Sequence, residues 1–114
     1  MTTSYTDEMM RERLAQAATY TMVVLRTTDK FSDEGTNQII WEHGRRNMGL
    51  QADGVMPIVM PVGDDTGLAG VGIFVDDPDT VRSIMDGDPA IQAGILSYTV
   101  HPCRGFPGSA LPAK

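Results

Sequence analysis

The 114-residue chain is long enough for one hydrophobic core and too short for two, and its 41% hydrophobic and 21% charged residues argue against disorder. A net charge of −6, with nine scattered Lys and Arg, disfavours nucleic acid as a partner. No apolar run approaches the ~20 residues of a membrane span, so we expect no membrane partner. The first residues lack the pattern of a signal peptide, and Cys103 is the sole cysteine. Both observations favour a cytoplasmic protein.

The first predicted element is a helix over about residues 7 to 17. Ser4 and Asp7 have the spacing of a capping box, and apolar residues follow with a loosely helical period. Because this amphipathic pattern is weak, we expect residues 1–18 to form a helical appendage that precedes the main domain.

The next elements predict a central strand, a long helix and an edge strand. Apolar residues on both sides of the strand from Tyr20 to Thr27 indicate burial of both faces. A helix is predicted from Gly35 to about Gln51. The second strand, residues 55–62, carries Pro57 and Pro61, whose missing N–H groups fall on one side and so place this strand at a sheet edge.

A five-residue turn, residues 63–67, predicts a hairpin that leads into a third strand over residues 68–75. Gly70 and Gly72 share one face of this strand, where they leave room for close backbone approach or for a pocket. A helix follows from Asp77 to about Met85. The Asp88-Pro89 step then opens a short helical turn in front of a last strand, residues 95–101.

The resulting order, β-α-β-β-α-β, is that of the ferredoxin-like split βαβ unit, an α+β fold with an antiparallel sheet and both helices on one face. One helical layer covers one side of the sheet, yet the first strand is apolar on both sides. We therefore expect a homodimer formed through the helix-free face. The tail, residues 102–114, is rich in Gly and Pro and is predicted to be irregular.

Polar residues interrupt the arc of the long helix that should face the sheet. His43 lies near the middle of this arc and Asn47 follows one turn later. Such groups must be hydrogen-bonded or line a wet cavity, since each polar group that is buried without a hydrogen-bond partner costs about 1–3 kcal/mol. Two interpretations stay open: a core histidine satisfied by Asn47 or a backbone carbonyl, or an imidazole that opens into a pocket beside Gly70 and Gly72 and is oriented by Asp88. The other members of the arc are Thr36, Ile39, Ile40 and Leu50.

These features together resemble the YCII-related family of the dimeric α/β-barrel superfamily. The similarity rests on a short ferredoxin-like domain, an inward histidine on the long helix, a Gly-containing hairpin and an Asp-Pro turn before the last strand. It covers about residues 19–101. The resemblance implies a homodimeric α/β barrel with His43 and Asp88 as the active-site pair; Ala90 stands where many relatives carry an aromatic residue.

Arg26 and His101 are further candidates for contact with a substrate. Arg26, at the end of the central strand, would bind an anionic group or form a structural ion pair. His101 would serve as a second acid-base group or as a zinc ligand. His43, His101 and Cys103 lack the short spacing of metal ligands, so we expect no metal and no cofactor.

Two functional hypotheses follow from these residues. The first is a small cofactor-independent enzyme of the isomerase, lyase or cyclase type, in which His43 moves a proton on a small organic molecule and Asp88 fixes its tautomer. The second is a non-catalytic homodimer that binds a small molecule or has a structural role, in which the two side chains satisfy each other. Fold alone does not separate them.

Overall fold

Alternating apolar strands and capped helices produce an α+β fold in the computed structural model, which describes residues 2–114. The elements are α1 (Asp7–Ala15), β1 (Ala18–Thr27), a 3₁₀ turn (Asp29–Ser32), α2 (Thr36–Ala52), β2 (Ile58–Pro61), β3 (Leu68–Phe74), α3 (Pro78–Asp86), α4 (Pro89–Gln92) and β4 (Leu96–Gly105).

The four strands form one antiparallel sheet in the order β2-β3-β1-β4. β1 pairs with a neighbour on each side, as its two-sided apolar pattern predicts. β2 pairs with β3 and lies at the edge of the sheet, which confirms the predicted position. The strand is shorter than the predicted residues 55–62, and Pro57 precedes it while Pro61 is its last residue. This sheet order is consistent with the ferredoxin-like arrangement.

One face of the sheet carries the core. Thr21, Val23 and Leu25 of β1 are buried on this face, and they alternate with residues of the same strand that are more exposed. Residues from α3 and α4 belong to the same buried cluster, so these helices lie on that face too. The cluster consists of Val23, Leu25, Met56, Phe74, Val81, Met85, Ala90, Ile95 and Leu96.

The long helix α2 presents the predicted arc to the sheet. Thr36 and Asn47 are buried, and His43 is partly buried between them. On the opposite side, Trp41 is 65% exposed. The hydrophobic periodicity therefore orients α2 correctly, and it aims the polar pair at the interior.

The other face of the sheet has no helical layer in the part of the chain that the structure describes. We call it the open face. It carries Tyr20, Met22, Val24 and Arg26 of β1, with Val71, Ile73, Thr99 and His101 beside them in the registers of β3 and β4. The first three of these β1 residues are only partly buried, so burial of both faces of β1 is not achieved within one chain.

The first helix begins at Asp7, as predicted, but it has another capping residue and ends earlier. The hydroxyl of Thr6, and not that of Ser4, caps α1 by accepting a hydrogen bond from the Met9 amide at 3.2 Å. The helix ends at Ala15, two residues before the predicted end, and none of its residues is buried. The assignment of residues 1–18 as an appendage stays a prediction.

The last strand is longer than predicted. β4 continues through Pro102 to Gly105, so the predicted boundary between residues 101 and 102 falls inside a strand. An edge strand has one side that makes no ladder bonds, and a proline is tolerated there. Beyond the strand, the Phe106 ring lies against α1, with the guanidinium carbon of Arg13 4.6 Å from its centroid.

Candidate active site

The short helix α4 fixes a buried carboxylate. Asp88 is its N-cap, and Pro89 occupies the first helical position, where a missing N–H costs nothing. The Asp88 Oδ2 atom accepts hydrogen bonds from the amides of Ala90 at 2.9 Å and Ile91 at 3.4 Å. Asp88 is 0% exposed. The Asp-Pro step thus holds the carboxylate in one orientation inside the protein.

The imidazole of His43 meets this carboxylate from α2. Its Nδ1 atom lies 2.8 Å from Oδ1 and 2.9 Å from Oδ2 of Asp88. An ionised carboxylate only accepts hydrogen bonds, so Nδ1 carries the proton and the neutral ring has its lone pair on Nε2. The contact that the sequence suggested between these two residues is present.

Asn47 engages the other ring nitrogen. Its Nδ2 atom lies 3.1 Å from Nε2 of His43 and donates to the lone pair there. Once the ring is protonated, Nε2 becomes a donor, and the Asn47 carboxamide must then turn to offer its oxygen. The polar pair predicted on the buried arc is therefore hydrogen-bonded, and its amide is able to serve either protonation state of the ring.

The charge of Asp88 is stabilised despite its burial. Burial alone would raise the pKa of this carboxyl, but the hydrogen bond and charge of His43, together with the Ala90 and Ile91 amides, outweigh that effect. The net result is an Asp88 pKa below its usual value. The group is an anion at neutral pH, as an orienting partner for a histidine requires.

Arg46 adds a contact that the sequence analysis missed. Its Nη2 atom donates to the Ile84 carbonyl at 2.7 Å, and its Nη1 atom lies 3.8 Å from Oδ1 of Asp88. A Cβ atom at Gly87 would lie 3.0 Å from Nη2, so this glycine makes room for the guanidinium. The available signal was the spacing: Arg46 comes three residues after His43, which places it on a neighbouring part of the helix surface.

A cavity of about 360 Å³ opens between α2 and the sheet. His43 and Asn47 both line it, whereas Asp88 does not and lies behind the imidazole. Nδ1 is turned to the carboxylate, and Nε2 lies on the other edge of the ring beside Asn47, which also lines the cavity. A small molecule in the cavity would reach the proton-accepting edge of the histidine.

The two hairpin glycines line the same cavity, and each serves close packing as well. A Cβ atom at Gly72 would lie 2.5 Å from Sδ of Met56, a buried core residue. At Gly70 it would lie 3.2 Å from the Met60 carbonyl of the neighbouring strand. Both predicted uses of the gap, close approach and a pocket wall, thus occur together.

Arg26 and His101 lie away from this cavity. Both are exposed on the open face, and neither lines the cavity. The ring of His101 is hydrogen-bonded through Nε2 to the Thr99 hydroxyl at 2.8 Å. The structure brings His43, Asp88, Asn47, Gly70 and Gly72 together and leaves these two residues outside the group.

Within residues 2–114, no group of three or more His, Cys, Asp or Glu side chains is arranged to hold a metal ion. The helices of that range are also too short or too polar to cross a membrane. Comparison of the chain with protein-family models and with curated proteins finds no match. The YCII-related resemblance therefore stays a prediction.

Proposed function

We propose that the chain is a small cofactor-independent acid-base enzyme of the isomerase, lyase or cyclase type that acts on a small organic molecule. The observation that carries this proposal is the imidazole of His43, whose Nδ1 atom lies 2.8 Å from a buried carboxylate and which also lines a cavity. YCII-related ancestry and a cytoplasmic location belong to the same proposal.

The chemistry is a proton transfer through Nε2 of His43. The neutral ring accepts a proton from a carbon acid in the cavity, and the charge of Asp88 stabilises the imidazolium that forms. Nε2 then returns the proton to another atom of the same molecule, so that the reaction needs no oxidant or other reagent. When a ligand approaches, the Asn47 amide group moves away from the lone pair on Nε2 of His43. Once the ring is protonated, the Asn47 carbonyl oxygen accepts a hydrogen bond from Nε2.

The proposal includes a homodimer with the architecture of a dimeric α/β barrel. The open face is apolar at Met22, Val24, Val71 and Ile73, and α1 exposes apolar side chains with none buried. The radius of gyration is 16.6 Å, against about 13 Å for a compact chain of this length. A second copy that covers the open face and α1 would bury both surfaces.

We expect Met22→Lys to dissociate this dimer, because it places a charge at the centre of the open face. Sedimentation at low micromolar concentration should give twice the 12.3 kDa chain mass for the original protein and one chain mass for the variant. Met48→Lys is the matched control, since Met48 is 54% exposed on α2, across the sheet. A monomeric original protein, or a dimer unaffected by Met22→Lys, would contradict the proposal.

Proton abstraction is testable before the substrate is known. We expect the protein to catalyse deuterium incorporation from D₂O into at least one member of a panel of enolisable cyclic ketones and lactones, followed by NMR. His43→Gln should lower that rate about 10²–10⁴-fold. Gln38→Glu on the outer part of α2 is a control that should not change it, because Gln38 is exposed and lies outside the cavity lining.

A non-catalytic binding module is the second candidate. The observation that favours it is that both ring nitrogens of His43 already have partners within the chain, Asp88 and Asn47. In that case a ligand would fill the cavity without exchanging protons. Binding of panel members with no deuterium incorporation above that of His43→Gln would select this alternative.

A further inference from the structure

The cavity lining is almost entirely uncharged. Its walls are apolar side chains and backbone of β1, β2, β3 and α2, including Leu25, Ile40, Val59 and Leu68. Lys and Arg are absent from the lining that the described residues form. An organic anion placed there would lose its hydration and gain no cationic partner, which is strongly unfavourable in a largely apolar site.

The charge near the cavity is negative. Asp64, from the β2-β3 turn, contributes to the lining at the rim. Hydrogen bonds from the Thr66 hydroxyl and amide hold the pKa of its carboxyl below the usual value, so it is an anion at neutral pH. Asp88 adds a second negative charge behind the imidazole. The guanidinium of Arg46 is turned to the Ile84 carbonyl and to Asp88, and Arg46 does not line the cavity.

The polar side chains of Asn47 and His43 in the lining suit a ligand that carries one neutral hydrogen-bonding group. Asn47 supplies a second amide hydrogen and a carbonyl oxygen, and Nε2 of His43 lies beside them. Such a set can donate to a carbonyl or accept from a hydroxyl. The volume of about 360 Å³ falls at the small end of ligand cavities, which fits a molecule built on a single ring.

We propose that the cavity takes an uncharged molecule, with an apolar body and one carbonyl or hydroxyl group, and discriminates against organic acid anions. This inference rests on the proposed function for its link to catalysis, and it names the substrate class of that function as neutral carbonyl or hydroxyl compounds. The assignment of the cavity as a binding site for neutral ligands stands on the lining alone.

Three probes of matched shape test the charge preference. Acetophenone, benzamide and benzoate share one ring and differ in the charge of the polar group. We expect the two neutral probes to shift the backbone amide signals of Gly70 and Gly72 and the side-chain amide signal of Asn47 in NMR titrations. Benzoate should bind at least about tenfold more weakly. Equal or tighter binding of benzoate, or no binding of either neutral probe, would overturn the proposal.

A charge added at the mouth of the cavity should weaken the preference for neutral probes. Met48 lines the cavity and is 54% exposed, so Met48→Lys brings a cation to the rim without burying it. We expect this variant to bind benzoate about tenfold more tightly than the original protein does. Gln38→Lys is the matched control, because it adds the same charge at an exposed position of α2 that lies outside the cavity lining, and it should leave benzoate binding unchanged. If Met48→Lys has no effect, the missing cation does not explain the selectivity and the inference fails.

The inference and the proposed function fail in different ways. In His43→Gln the preference for neutral probes should persist, because the remaining lining is unchanged, while deuterium incorporation is lost. If the original protein shows no preference for neutral probes, the proposed substrate class is wrong and the role of His43 still stands. Deuterium incorporation that survives in His43→Gln would remove the role of His43 and leave the binding preference intact.

Discussion

Asp88→Ala is expected to lower the free energy of unfolding by about 2–4 kcal/mol, because it leaves the Nδ1–H group of His43 without its buried acceptor and removes the N-cap of α4. Nδ1 of His43 and the guanidinium of Arg46 both lose their anion, and the amide of Ala90 loses its acceptor. Urea unfolding at neutral pH measures the change. In the control Asp79→Ala, a carboxylate that is 94% exposed and paired with Arg82, we expect little change.

The same measurement as a function of pH isolates the charge of Asp88. Its pKa is lowered in the folded protein, so its contribution is fully present above the unfolded pKa of about 3.9 and is lost as the pH falls through the folded value. The difference in unfolding free energy between the original protein and Asp88→Ala should therefore shrink below about pH 4. Asp64 and Asp77 also have lowered pKa values, but they are common to both proteins and cancel. A difference that is constant from pH 7 to pH 3 would show that the charge of the Asp88 carboxylate contributes nothing.

Asp88→Asn is expected to reverse the tautomer of His43. The cap amides of Ala90 and Ile91 require an oxygen at the Oδ2 position, which leaves the new amide nitrogen at the Oδ1 position, 2.8 Å from Nδ1. That nitrogen donates, so Nδ1 must become the acceptor and the proton moves to Nε2. The cavity edge of the ring then has no lone pair, and proton abstraction should fall about 10²–10⁴-fold.

Long-range ¹H–¹⁵N correlation spectra distinguish the two tautomers directly. We expect the Nδ1–H form in the original protein and the Nε2–H form in Asp88→Asn at neutral pH. Asn47→Leu is a useful comparison, because it removes the contact to Nε2 and leaves Asp88 in place, so the Nδ1–H form should persist. Identical tautomers in the original protein and Asp88→Asn would show that the carboxylate does not set the proton position.

Much of the fold is predictable from local sequence patterns, because prolines and capping residues mark where helices and strands begin or lie in the sheet. The two prolines place β2 at the edge, and the Asp-Pro steps before α3 and α4 fix the helix starts at Pro78 and Pro89. The ends of α1 and β4 were predicted less well. Thr6 competes with Ser4 as a cap, and a proline at an edge strand does not end the strand, so Pro102 is a weak signal for a boundary.

The site is predictable to the extent that it depends on helix periodicity. The position of His43 on the buried arc leads to Asp88 once the topology brings α2 over α4. The position of Arg46 beside the pair depends on side-chain direction and on the space at Gly87, which the periodicity does not describe. The cavity likewise depends on how α2 and the sheet separate, a property of packing that appears only in three dimensions.

The prolines have a further consequence for how the protein behaves at high concentration. Both rims of the sheet carry one: Pro61 lies in β2 and Pro102 in β4, and these are the two outer strands. A strand from another molecule would find a gap in the row of amide donors at either rim. Lateral growth into ribbons or fibrils is hindered on both sides, so stacking of one sheet on another is the favoured route of self-association.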